Sequence, residues 1–185
     1  MRAKFTLLII IAVVALVAAL YFMALNMKPP GKSTLKSGSF AEYSFNVQPS
    51  GTNGTYKWEV LSVVASTATV MEQVNASFGL QNYTSYLNLE TGVITRERTI
   101  ANGTLQEPLC FMLTSRESIA ECPYYAPLKI TGNENFAERS GIRVVPENSI
   151  SEYFIFDEKT GIMLTAQYSV EQTASVYKLI DTNVF

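Results

Sequence analysis

The feature that most constrains the fold is a two-residue alternation that begins at Phe40. In FAEYSFNV, residues 40 to 47, Tyr43, Phe45 and Val47 fall on one face, and Ser44 and Asn46 fall on the other. That is the period of a half-buried strand. A turn-rich PSGTNG follows, and alternation resumes in Tyr56-Lys-Trp58-Glu-Val60. Further strand candidates cover 68–74, 83–89, 93–100, 109–113, 128–130, 141–145, 152–156, 162–170 and 174–180, separated by turn residues. Short strands at such spacing predict an antiparallel all-β domain, as a sheet, sandwich or half-barrel. One helix candidate stands among them, Ser115 to Ala120.

An internal echo supports hairpins. Tyr86-Leu-Asn-Leu-Glu-Thr91-Gly92 resembles Tyr153-Phe-Ile-Phe-Asp-Glu-Lys-Thr160-Gly161, and each is followed by a second apolar run. Glycine supplies the positive φ of a tight turn, and a preceding Asp or Glu either accepts backbone N–H bonds or stays solvated.

Ahead of the strands lies an uncharged run, FTLLIIIAVVALVAALYFMAL, residues 5 to 25. As a helix it would extend roughly 32 Å, enough to cross a bilayer. A cleaved signal peptide is the rival, since Val17 and Ala19 suit a cleavage site, but the apolar run continues past them. Residues 1 to 4 then form a cytoplasmic tail, 5 to 25 a transmembrane anchor, 26 to 38 a stalk with Pro29-Pro30, and 39 to 185 the β domain. Charge alone leaves the orientation open, because Arg2 and Lys4 on one flank oppose Lys28, Lys32 and Lys36 on the other. Four sequons, at Asn53, Asn75, Asn82 and Asn102, favour a C-terminal domain outside the membrane, where glycosylation occurs. In that compartment Cys110 and Cys122 are expected to pair, and closing their loop is worth about 3 kcal/mol. Two unpaired buried thiols are the alternative for a cytoplasmic domain.

Composition narrows the chemistry. The chain contains no histidine, which removes the commonest general base, imidazole triads and His-dependent metal sites. With 16% charged residues the surface relies on neutral polar groups, and little stability should be lost between pH 7 and pH 4. Lys159-Thr160-Gly161 and Ser33-Thr-Leu-Lys36 echo two signatures of penicillin-recognising serine hydrolases. Ser33 lies eight residues after the apolar run behind two prolines, however, and no S-D-N element exists. The carboxylate pairs Glu134/Glu138 and Asp157/Glu158 are read as solvated turns, without a calcium-loop pattern. Setting aside Arg2 and Lys4, twelve basic residues face sixteen acidic ones, a net charge of −4 that disfavours nucleic acid. No catalytic, cofactor or metal residues are expected.

The order of motifs resembles archaeal membrane-anchored exterior β-proteins: the anchor, Gly38-Ser-Phe40-Ala-Glu-Tyr43-Ser-Phe45, Trp58-Glu-Val60, two Thr-Gly hairpins and a terminal Tyr177-Lys-Leu179. It is also similar to LolA/LppX-like half-barrels, whose curved sheets carry an apolar ligand on the concave face. It departs from them in offering no helices to cover that face. Together these features imply a non-enzymatic, glycosylated exterior domain at the cell membrane. It would serve as an assembly protein meeting envelope partners or copies of itself, with residues 27 to 47 as stalk or donated strand. The alternative is an apolar-ligand or lipid-binding module.

Overall fold

The computed structural model describes residues 35–100, 103–110, 112–115, 119, 126–149, 151–170 and 173–184. The anchor, Asn102, Cys122 and most of the 115–120 helix candidate lie outside the described residues, as do the side chains of 97–111. No described helix is long and apolar enough to cross a membrane.

Eleven strands are described: β1 (Phe40–Gln48), β2 (Thr52–Val64), β3 (Thr67–Ala76), β4 (Gly79–Asn88), β5 (Val93–Ile100), β6 (Gly103–Cys110), β7 (Leu128–Phe136), β8 (Arg139–Pro146), β9 (Tyr153–Asp157), β10 (Met163–Val170) and β11 (Thr173–Thr182). All pairings are antiparallel, in the order β6-β5-β4-β3-β2-β1-β11-β10-β9-β8-β7. Two meanders therefore meet at the centre, where the first and last strands pair. The alternation at Phe40 holds in the faces of β1, since Ala41, Tyr43 and Phe45 are buried and their neighbours are less so, although it did not specify a central position. That position means that residues 40 to 47 are no donated strand. They bond to β2 on one side and β11 on the other. Leu35, within the stretch read as stalk, is buried in the core.

Several strand boundaries differ from expectation: β7 runs on to Phe136 rather than ending at Ile130, β2 extends past Tyr56–Val60 at both ends, and the run read as a strand at 109–113 is divided. β6 ends at Cys110, and Met112 and Leu113 leave it to cross beneath the sheet as a strap. Met112 N donates to Gly92 O at 3.3 Å, and Leu113 N donates to Gly161 O at 2.8 Å. These glycines belong to the two echoed turns, β4–β5 and β9–β10. In a flat sheet five inter-strand steps would separate β4 from β10 by about 24 Å. Consecutive strap residues reach both turns, so the two carbonyls lie within roughly 10 Å of each other. The sheet is thus curled into a half-barrel rather than folded as a sandwich. Single extra residues at Leu61, Thr131, Leu164 and Ile180 interrupt the ladders, and such bulges bend and coil strands.

The two turns are built alike. Asn88 Oδ1 accepts from Glu90 N and Thr91 N, and Gly92 N donates to Asn88 O. Asp157 Oδ1 accepts from Lys159 N and Thr160 N, and Gly161 N donates to Asp157 O. The hairpin reading of Thr160-Gly161 therefore holds. The acceptor aligned with Asp157 is Asn88, however, and Glu90 serves through its backbone N–H rather than as the acidic acceptor. Asp157 is only 2% exposed, so reading it as a solvated turn residue was wrong: its carboxylate is consumed by the turn and by Arg139 at 3.6 Å. Gly92 and Gly161 sit at φ 75° and 73°, and a Cβ on either would lie about 2 Å from a strap carbonyl oxygen: 1.9 Å from Met112 O and 2.0 Å from Leu113 O. Glycine is required there both by conformation and by the strap's close approach.

Candidate functional site

The concave face has two zones. Towards the strap it is aliphatic and closed, with Val60, Ala68, Val70, Leu87, Ile94, Met112, Leu113 and Ile162 all buried. At the other end it becomes aromatic. Tyr56, Phe45, Tyr177, Tyr168 and Phe154 form a ladder across β2, β1, β11, β10 and β9, with stacked centroids 5.6 to 6.0 Å apart from Phe45 to Phe154 and an edge contact of 6.2 Å between Tyr56 and Tyr177. Strand pairing produces the ladder: Tyr43 lies opposite Tyr56, and Phe45 opposite Tyr177. Aromatic cross-strand pairs add roughly 0.5–1.5 kcal/mol each beyond their burial. Tyr83, Tyr168, Tyr177 and Val74 remain half-buried, which leaves this end the more accessible one.

A polar cluster borders the aromatic zone. Glu72 on β3 is completely buried, and Arg96 on β5 meets it with two parallel hydrogen bonds, Nε to Oε1 at 3.1 Å and Nη2 to Oε2. Tyr56 Oη donates to Oε2 at 2.6 Å, and Ser85 Oγ donates to Oε1. Both carboxylate oxygens are therefore doubly engaged. The Arg96 guanidinium also lies 4.7 Å from the Tyr83 ring centroid, in cation–π range. Four adjacent strands are tied by this one group of side chains.

Electrostatics follow from the geometry. Burial pushes the Glu72 carboxyl up, but the hydrogen bonds and charge of Arg96, with Ser85 and Tyr56, outweigh it and hold the group below its ordinary 4.5. Burial and the Glu72 charge push the Tyr56 phenol well above its ordinary value. Burial works against the Arg96 cation, yet Glu72 more than compensates and raises its pKa. Tyr43 is raised by burial, partly offset by the neighbouring Trp58 indole. Glu72 and Arg96 thus stay ionised and Tyr56 neutral at ordinary pH. A carboxylate with every lone pair engaged is a poor base, so the cluster suits holding strands and presenting a cation rather than moving protons.

The expected site residues fall elsewhere. Asn53 on β2, Asn75 on β3 and Asn82 on β4 are exposed and project from the convex face, opposite the aromatic ladder. They gather at the end near the β1–β2 and β3–β4 turns. The Cys110 side chain, Cys122 and Asn102 lie outside the described residues. Glu134 pairs with Arg143 at 2.6 Å rather than with Glu138. Among the described residues no group of three potential ligands gathers at a metal distance.

No family model and no curated protein matches this chain. Among solved structures it is similar to MucB of Pseudomonas aeruginosa in complex with MucA, at 15% identity and a TM-score of 0.42, covering 80% of this chain and 52% of that one. It is also similar to LprF from Mycobacterium bovis, at 6% identity and a TM-score of 0.36, covering 78% and 85%. A third is a putative outer membrane lipoprotein-sorting protein domain from Vibrio parahaemolyticus, at 8% identity and a TM-score of 0.34, covering 82% and 87%. The chain spans about half the length of the MucB chain it matches.

Proposed function

We propose that this chain is an envelope binding module, tethered by residues 5 to 25, that holds an apolar or amphipathic molecule against the aromatic end of its concave face. The carrying observation is the ladder from Tyr56 to Phe154, bordered by the Arg96 guanidinium. Stacked rings offer a wide apolar surface with polar hydroxyl tips, and a cation at its border suits an anionic or carbonyl end on the ligand. Work by binding rather than catalysis fits the lack of histidine and the fully engaged Glu72. Glycans at Asn53, Asn75 and Asn82 would stand on the convex side and leave the ladder clear. A disulfide between Cys110 and Cys122 would fix the strap's origin.

The reading is tested with the full chain in detergent and a lipophilic fluorophore, using Trp58, the sole tryptophan, as an internal reporter. Saturable binding that weakens several-fold in Tyr168→Asp and not in Asn82→Asp is expected. Equal binding by both variants rejects the site.

Assembly is the second reading, favoured by the open sheet: among the described residues β6 and β7 each have one neighbour strand. Unpaired ladder groups at such edges are templates for another chain. A purely monomeric chain in mild detergent and in the native membrane would remove this reading.

A further inference from the structure

The β2–β3 hairpin ends in LSVVAST, residues 61 to 67, without an ionisable side chain. Leu61, Val63 and Val64 are 46%, 37% and 74% exposed. Ala65 occupies φ 53° at the tip, a position that favours Gly, Asn or Asp. Exposed aliphatic side chains in such a run suit a bilayer surface better than water. The place of the tip in the fold identifies the bilayer. Gly38 N donates to Val60 O and Ser37 Oγ to Leu61 O, both at 2.8 Å, so the incoming chain is fastened to the base of this tip. Only nine residues, 26 to 34, separate the apolar run from Leu35, a reach of at most about 30 Å. Lys28 and Lys32 lie along that path and Lys36 just past it, where anionic headgroups attract cations.

We propose that Leu61 to Ala65 dock on the surface of the bilayer that holds residues 5 to 25, giving the domain a second membrane contact. The proposal rests on the anchor reading given under Proposed function. The contact turns the strap end towards the lipid and the aromatic end away from it. A built-in control exists at the opposite end, where the β3–β4 tip exposes Phe78 at 58% and Leu80 at 61% beside Asn75 and Asn82. Both tips cannot face one bilayer.

The test reconstitutes full-length Val64→Trp and Phe78→Trp in phosphatidylcholine–phosphatidylglycerol nanodiscs, with brominated acyl chains as quencher and wild-type Trp58 emission as the background. Several-fold stronger quenching and a blue shift for Val64→Trp are expected. Equal quenching in the two variants, with the chain still resisting alkaline carbonate extraction from its native membrane, overturns the tip contact and spares the anchor. Release by carbonate overturns the anchor, and the proposal with it. Lipid shielding of Val64→Trp lost in a Leu61→Asn background, with the circular dichroism spectrum unchanged, supports the docked face.

Discussion

The two wings of the half-barrel share a turn and a strap but are held by different forces. On the β2–β5 side one layer of sheet carries its convex face in solvent, and four strands are fastened by the buried Glu72–Arg96 group. On the β8–β10 side the fastening is apolar. Phe154, Ile155, Phe156, Met163, Leu164 and Ala166 are buried on successive positions, facing both ways, because the β7–β8 hairpin curls over the convex side and brings Phe136 to Lys178, Leu164 and Ile180. The difference teaches that one curved sheet needs a cover on each stretch of its core. Where a second layer exists, hydrocarbon suffices. Where it does not, a satisfied ion pair fixes the register.

The largest expected effect comes from breaking the ion pair on one side only. Arg96→Met should cost about 3–5 kcal/mol by leaving Glu72 charged and buried, while Arg96→Met with Glu72→Leu should recover most of the loss. Urea denaturation midpoints of the three proteins measure this, and equal destabilisation of both variants would show that packing, not charge, holds the wing. On the other side Phe156→Ala should cost about 3–5 kcal/mol with no rescue by any charge change. Slightly smaller, about 2–4 kcal/mol, is the cost of Gly92→Ala or Gly161→Ala, combining positive-φ strain with the strap clash; similar melting temperatures for the two would confirm that the strap engages both wings alike.

Acid should separate the wings. Glu72 titrates below 4.5 in the folded chain, so its stabilisation is present above that pH and lost as pH falls through the depressed value. Thermal unfolding should change little from pH 7 to about 4.5 and decline below it, and the Arg96→Met/Glu72→Leu protein should lack that component of the decline. The smallest effect, about 1 kcal/mol, is expected for Asn88→Ala, which removes the side-chain acceptor of its turn; Asp157→Ala should cost more because Arg139 also loses its partner. Calorimetry of the pair checks the order.

Much of the sheet was legible because strands such as β1 and β3 alternate cleanly, and Val93–Ile100 was placed to the residue. Leu109 to Leu113 misled because an apolar run reads as strand whether its partner is a neighbouring strand or the underside of two turns. The ion pair carried an unused signal. Glu72 continues the buried phase Ala68, Val70, and Arg96 continues that of Ile94, so opposite charges on inward positions of nearby strands mark a buried pair. Asp157 was misread as solvated because exposure depends on what packs above a turn, which the turn's own sequence does not encode.

By itself the sequence determined the strand pattern, the two Asx-Thr-Gly turns, the lack of imidazole chemistry and the apolar run that motivates a tether. These are local matters, set by side-chain period and backbone preference. Only the tertiary structure decided that the first strand pairs with the last, that the sheet curls until one strap bonds both turns, and that Glu72 meets Arg96. Those outcomes depend on bulges, register and closure between residues far apart in the chain, where no local preference reaches.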